Sequence, residues 1–112
     1  MAVGLGDTGG NMLSEKQKRA LMDELAALLA EEREVCRIVI FSSFLHSDTP
    51  HDLDVAVFQD SEEAYLPLAL KYRRKTRRIA RTIPLDIVPL RAGAKDGSFL
   101  DEIERSEVIY ER

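Results

Sequence analysis

The chain has 112 residues and a net charge of −4 at pH 7, and 45% of its residues are hydrophobic and 32% charged. This balance is typical of a folded globular protein, so it argues against a disordered chain, and the acidic excess argues against a general nucleic-acid coat protein. No apolar run is as long as a membrane span and the N-terminus has no signal-peptide pattern, so we expect a cytoplasmic protein without a membrane partner.

The N-terminal part divides into a leader and a first helix. Residues 1–12 hold four of the six glycines, and we predict a flexible leader there, with a single domain over residues 13–112. Ser14 is predicted to cap the first helix, with Gln17 as its partner in a capping box, and the helix is expected to run to about Glu32. Its apolar stripe has helical spacing and consists of Leu21, Met22, Leu25, Leu28 and Leu29.

Four apolar runs predict strands, and helical segments lie between them. The strands are expected at residues 35–41, 53–58, 83–90 and 107–110, the third being no long central strand because it holds two prolines. The connection 42–51 can carry a short helix in its first half, a longer helix includes Pro67 in its first turn, and a short one opens at Ser98. The longer helix has an apolar stripe of Leu68, Ala69, Tyr72, Thr76, Ile79 and Ala80. This order predicts an α/β (α+β) fold, a small mixed sheet of three to four strands packed with helices.

Two aspartates separated by one residue, Asp52 and Asp54, open the second strand. Side chains alternate along a strand, so both carboxylates point to the same face. Carboxylates this close repel each other unless a cation lies between them, and Mg²⁺ is a hard cation that prefers oxygen ligands. Asp86 lies in the third apolar run, so pairing of the two strands would let three carboxylates surround one or two metal ions. The alternative is an edge strand with its polar face in water.

Ser42 and Ser43 follow the first strand, where the short helix is expected to begin. Backbone N–H groups at a helix N-terminus favour anions, and serine hydroxyls can add donors, so the pair is a candidate phosphate site. Plain N-capping is the alternative, and the two interpretations are compatible.

The segments 38–43, 52–55 and 85–87 together resemble the nucleotidyltransferase superfamily, in which a Gly-Ser pair follows one strand, D-x-D opens the next, and a third acidic residue lies on a later one. The length and the helix-first order look most like the minimal nucleotidyltransferases. The resemblance implies that Asp52, Asp54 and Asp86 are the catalytic and metal-binding residues, and that Ser42 and Ser43 contact the nucleotide. The chain differs from the family pattern at three positions, with Ser42 and Ser47 in place of glycines and Phe44 in place of a frequent arginine.

The resemblance also implies an activity and a partner. We expect two Mg²⁺ ions and ATP as donor, with transfer of a nucleotidyl group, AMP, to an acceptor hydroxyl. Members of this group often pair with a small helical HEPN-domain protein in a toxin–antitoxin arrangement. The alternative is a catalytically degenerate domain that acts as a protein-binding antitoxin module.

Two further features carry weaker hypotheses. Residues 71–81 hold seven basic side chains, which form either a solvated helix face or a contact for triphosphate, RNA or an acidic partner. No aromatic residues alternate with them in a pattern suited to base stacking, so nucleic acid is not expected, although this helix leaves it open. His46 and His51 lie in the connection 42–51, but a zinc site would lack further ligands, so surface residues are the favoured interpretation.

Overall fold

A computed structural model of the chain describes residues 13–47, 49–92 and 106–112, with only the backbone of Ser42 and Ser43. The predicted leader at 1–12 and the predicted helix from Ser98 lie outside the described residues. The elements are α1 (Glu15–Leu29), β1 (Val35–Ile40), α2 (Ser42–His46), β2 (Leu53–Gln59), α3 (Tyr65–Lys75), α4 (Arg77–Thr82), β3 (Leu85–Arg91) and β4 (Glu107–Glu111). In this part of the chain, no helix combines the length and the apolar character needed to cross a membrane.

The four strands form one mixed sheet with the order β3-β2-β1-β4. β1 pairs antiparallel with both β2 and β4, whereas β2 and β3 are parallel. The parallel pair has its crossover through α3 and α4, as a connection between parallel strands requires. β3 is at an edge of the described sheet, which agrees with Pro89 within it and Pro84 just before it, because an edge strand loses fewer ladder hydrogen bonds.

The main core lies on one face of the sheet, beneath α1, α3 and α4. From the sheet it takes alternate residues of β1 and β2, such as Ile38, Ile40, Val55 and Val57, all fully buried. The helices contribute side chains from the predicted apolar stripes, namely Met22, Leu25, Leu29, Leu68, Tyr72 and Ile79. A smaller cluster of Val39, Ala56 and Phe58 lies on the opposite face.

The first helix begins as predicted. The Ser14 hydroxyl accepts from the backbone N–H of Gln17, and the Gln17 side chain accepts from the backbone N–H of Ser14, so both halves of the capping box are present. The helix ends at Leu29 rather than near Glu32, because the backbone tightens there: the N–H groups of Glu31 and Glu32 donate to the carbonyls three residues before them.

The predicted long helix is divided in two at Thr76, whose φ of −110° and ψ of 19° leave the helical range. Its hydroxyl donates to the Tyr72 carbonyl at 2.8 Å, a bond that competes with regular helix geometry. Ala80 was expected in the buried stripe but is exposed. Ile79 is the residue of α4 that packs into the core.

Candidate functional site

The parallel pairing of β2 with β3 brings two of the predicted aspartates side by side. Asp54 and Asp86 are direct partners in the register, and their neighbours Leu53 and Leu85 are partners as well. The backbone N–H of Leu53 donates to the Pro84 carbonyl at 2.9 Å, which fixes this register at the start of both strands. In-register side chains of paired strands point to the same face, so the two carboxyl groups are neighbours.

The carboxyl group of Asp54 lies on the face of the sheet opposite α1 and α3. Along β2, Val55 and Val57 enter the main core, whereas Ala56 and Phe58 form the smaller cluster on the other face. Asp54 shares the alternation of Ala56 and Phe58 and is partly buried, while Asp52 and Asp86 are exposed. The site is therefore accessible from solvent, with Asp54 and Asp86 on two paired strands and Asp52 in the connection just before β2.

The surroundings of Asp54 disfavour the charged form of its carboxyl group. Burial raises the pKa of Asp54, and the negative charges of Asp52 and then Asp86 raise it further. Among the described residues, none of the three carboxylates has a cationic partner within ion-pair distance. Within that part of the chain, no group of three or more His, Cys, Asp or Glu side chains is close enough to hold a metal ion as it stands. The three aspartates are thus electrostatically coupled neighbours, and their charges oppose closer approach.

The start of α2 lies beside Asp54. The backbone N–H of Phe41, the N-cap residue of α2, donates to the Asp54 carbonyl at 3.1 Å. Ser42 and Ser43 form the first turn of this five-residue helix. The start of α2, which is the predicted phosphate-binding segment, therefore lies next to Asp54 of the predicted metal-binding segment.

Lys18 supports α2 and was missed by the sequence analysis. It lies in α1 and is almost completely buried, and its ammonium donates to the carbonyls of Leu45 at 3.2 Å and Ser47 at 2.6 Å. These carbonyls are at the C-terminal end of α2, where a positive charge also complements the helix dipole. A signal was available, because Lys18 precedes Met22 and Leu25 by four and seven residues and so falls on the apolar face of α1.

Phe44 occupies the position at which the family pattern often has an arginine, and it belongs to the main core with no exposed surface. The Lys18 ammonium lies 5.9 Å from the centre of its ring. The Phe44 side chain therefore holds α2 against the sheet and cannot present a charge to a ligand.

The two histidines are not part of the aspartate cluster. His46 and His51 are exposed, and in the described ranges neither belongs to a group that could hold a metal. His46 borders an open cavity of about 960 Å³ at the C-terminal end of α2, which is also lined by Lys18, Arg19 and Glu107. None of the three aspartates lines this cavity.

The basic stretch separates into two groups. Lys71 and Lys75 are bound to glutamates of the α1–β1 connection, with distances of 2.8 Å to Glu34 and Glu31 respectively. The remaining basic residues are arginines exposed on α3 and α4, namely Arg73, Arg74, Arg77, Arg78 and Arg81.

Comparison with known proteins establishes the fold. No protein-family model matches the chain, and no curated protein matches it. Among solved structures, a protein of Sulfolobus solfataricus described as a "putative nucleotidyltransferase" is similar with a TM-score of 0.54 and 19% sequence identity, over 97% of this chain and 94% of that one. The chain therefore has a nucleotidyltransferase-like fold, which confirms the predicted fold class. Kinship with the minimal subgroup and its HEPN partners stays a prediction.

Proposed function

We propose that this protein is a Mg²⁺-dependent nucleotidyltransferase of the cytoplasm, with one domain formed by residues 13–112. It would transfer AMP from ATP to an acceptor hydroxyl, which forms a bond to the α-phosphate while the bond to the β-phosphate breaks and pyrophosphate leaves. The observation that carries the proposal is the register of β2 and β3, which places Asp54 beside Asp86. Asp52 lies two residues before Asp54 in the sequence. The nucleotidyltransferase-like fold supports the same interpretation.

The chemistry of the three side chains fits Mg²⁺. Carboxylate oxygens are the ligands this ion prefers, and a divalent cation would offset both the burial of charge and the repulsion from Asp52 and Asp86, which together raise the pKa of Asp54. Asp52, Asp54 and Asp86 would hold the metal, with small side-chain movements to complete its coordination. Bound Mg²⁺ supplies neutralisation of phosphate charge and activation of the acceptor hydroxyl.

The protein's own groups position the reactants. The backbone N–H groups at the start of α2, beside Asp54, are suited to bind phosphate oxygens, with Ser42 and Ser43 as further donors. The exposed carboxylate of Asp86 on the edge strand β3 is open to an acceptor and suited to accept its proton. Lys18 acts indirectly, because it fixes α2 through the carbonyls of Leu45 and Ser47.

The proposed acceptor is a hydroxyl group on a partner protein, a small helical HEPN-domain protein in a toxin–antitoxin pair. The resemblance of the sequence supports this choice, and the small size of the domain agrees with a partner that supplies part of the acceptor site. A second candidate function is a degenerate domain that binds and masks its partner without chemistry. The burial of Phe44 favours it, because the arginine expected there is replaced by a core residue.

The test is transfer of label from [α-³²P]ATP, with and without Mg²⁺, to a co-expressed HEPN-domain protein. The variants are Asp54→Asn and, as a control that removes one negative charge elsewhere, Asp23→Asn at an exposed position of α1. We expect Mg²⁺-dependent labelling by the wild type and by Asp23→Asn, and none by Asp54→Asn. Labelling retained in Asp54→Asn contradicts the assignment, and a stable complex without any labelling supports the degenerate alternative.

A further inference from the structure

The two helices of the crossover, α3 and α4, carry exposed side chains on the sides that face away from the core. The residues of α3 and α4 that face the core are Leu68, Ala69, Tyr72, Thr76 and Ile79. At about 100° per residue within each helix, the side that faces away from the core holds Leu66, Leu70, Arg73 and Arg74 on α3, and Arg77 and Arg81 on α4. We call these six residues the outer face of α3–α4. All six are exposed.

The N-terminal half of the outer face is apolar. Leu66 is 62% exposed and Leu70 is 46% exposed, and they lie one turn apart. Tyr65 next to them is 55% exposed. Single exposed leucines are common on protein surfaces, but Leu66 and Leu70 lie one turn apart on the same face and so form a local apolar patch.

The C-terminal half of the outer face is purely cationic. The lysines of this segment are held within the protein, since Lys71 and Lys75 pair with glutamates, and Arg78 beside the outer face lies 3.6 Å from Glu24. Over the described ranges, the four arginines of the outer face have no hydrogen bond or ion pair. Within the described part of the chain these four guanidinium groups are therefore unpaired, and a guanidinium group can bind a carboxylate in bidentate geometry.

We propose that the outer face of α3–α4 docks an acidic amphipathic helix of a partner protein. The leucine half of the face would bury apolar side chains of that helix, and the arginine half would pair with its Asp or Glu residues. Arginine and tyrosine are enriched at protein interfaces and lysine is depleted, which matches the division between free arginines and internally paired lysines. The inference does not depend on the proposed nucleotide chemistry, because the outer face contains none of the three aspartates.

The charge of the face disfavours other occupants. A second copy of the chain on a two-fold axis would set arginines against arginines or leucines, with no acidic residue of the face to pair with them. A nucleic-acid backbone would use the four arginines but leave Leu66 and Leu70 without a role. An acidic amphipathic helix uses both halves.

The test is fluorescence anisotropy with a synthetic helical peptide, about 18 residues long, that has leucines one turn apart in one half and four glutamates in the other. Arg73→Glu/Arg77→Glu should weaken its binding at least about tenfold, and a peptide with lysines for the glutamates should bind this variant more tightly than it binds the wild type. Leu66→Ser/Leu70→Ser should also weaken binding. The matched control is Lys16→Glu/Arg33→Glu, which reverses two exposed charges elsewhere and should change affinity less than twofold.

Three results would overturn the proposal. One is an equal loss of affinity in Lys16→Glu/Arg33→Glu, which would reduce the effect to net charge. Another is insensitivity of binding to the leucine substitutions. The third is that the protein does not bind the peptide but binds oligo(U) RNA or phosphatidylserine vesicles, and loses that binding in Arg73→Glu/Arg77→Glu. Asp54→Asn should bind the peptide as the wild type does, so loss of catalysis and loss of docking are separable.

Discussion

Asp54→Asn is expected to stabilise the metal-free protein while it removes the proposed activity. Asn has nearly the same shape as Asp but no charge, so the substitution removes the repulsion between Asp54 and its neighbours Asp52 and Asp86. It also relieves the burial of a charged group, which is the first cause of the raised pKa of Asp54. Residues that serve a ligand often cost stability in its absence.

The magnitude follows from the register. In-register residues on adjacent strands are about 5 Å apart, and two unit charges at that distance repel by roughly 1 kcal/mol in water and roughly 3 kcal/mol near a protein surface. Since Asp86 is exposed and Asp54 only partly buried, solvent screening favours the lower figure. We expect a gain of about 1 kcal/mol, which raises the Tm of a domain of this size by roughly 4 °C.

The assay is thermal unfolding of the wild type, Asp54→Asn and the control Asp23→Asn, with EDTA and with Mg²⁺. Mg²⁺ should raise the Tm of the wild type and of Asp23→Asn, and leave Asp54→Asn unchanged. The ordinary pKa of an aspartate is 3.8, and that of Asp54 in the folded protein is raised above it. As the pH falls through the raised pKa towards 3.8, Asp54 takes up a proton, and the difference in Tm between the wild type and Asp54→Asn should disappear. If Asp54→Asn lowers the Tm in EDTA, or matches Asp23→Asn at every pH, the repulsion described here is absent.

Three other expectations concern the supports of the fold. Tyr72→Phe removes the 2.9 Å hydrogen bond to Glu34 and should cost about 1 kcal/mol in denaturant unfolding, with the ring packing retained; no loss would show that water replaces the bond. Burial raises the pKa of Glu34, but hydrogen bonds from Lys71 and Tyr72 outweigh burial, so the pKa lies below the ordinary value of 4.5. The stability that ionised Glu34 contributes above pH 4.5 should therefore be lost as the pH falls through the lowered pKa. Glu34→Gln should flatten that part of the acid-unfolding profile. Lys18→Met leaves two carbonyls at the end of α2 without their donor and should lower the free energy of unfolding by about 2 kcal/mol. It should also weaken ATP binding measured by calorimetry, and an unchanged affinity would show that Lys18 does not support the site.

The aspartate cluster was predictable because it depends on local alternation and on one pairing. D-x-D at the start of a strand fixes the common face of Asp52 and Asp54, and the parallel pairing with the strand of Asp86 is the simplest crossover through one helical segment. The strand bounds differ from the predicted ones by at most two residues at either end. The capping box of α1 was equally local.

The features that escaped prediction depend on contacts between distant parts of the chain. The burial of Lys18 requires the end of α2, 27 and 29 residues away, to pack on α1. The ion pair of Lys75 with Glu31 spans 44 residues, so the sequence alone could not separate internally paired lysines from free arginines. The break at Thr76 has no proline or glycine that would predict it from the sequence; it coincides with a threonine hydroxyl bonded to the Tyr72 carbonyl.

The most direct test of the central claim is calorimetric titration of ATP into the wild type and into Asp52→Asn/Asp54→Asn, with and without Mg²⁺. We predict binding to the wild type that requires Mg²⁺ and is absent from the double variant, while unfolding curves show that the variant is folded. Binding that is equal in both proteins, or independent of Mg²⁺, would contradict a metal–nucleotide site at Asp52, Asp54 and Asp86.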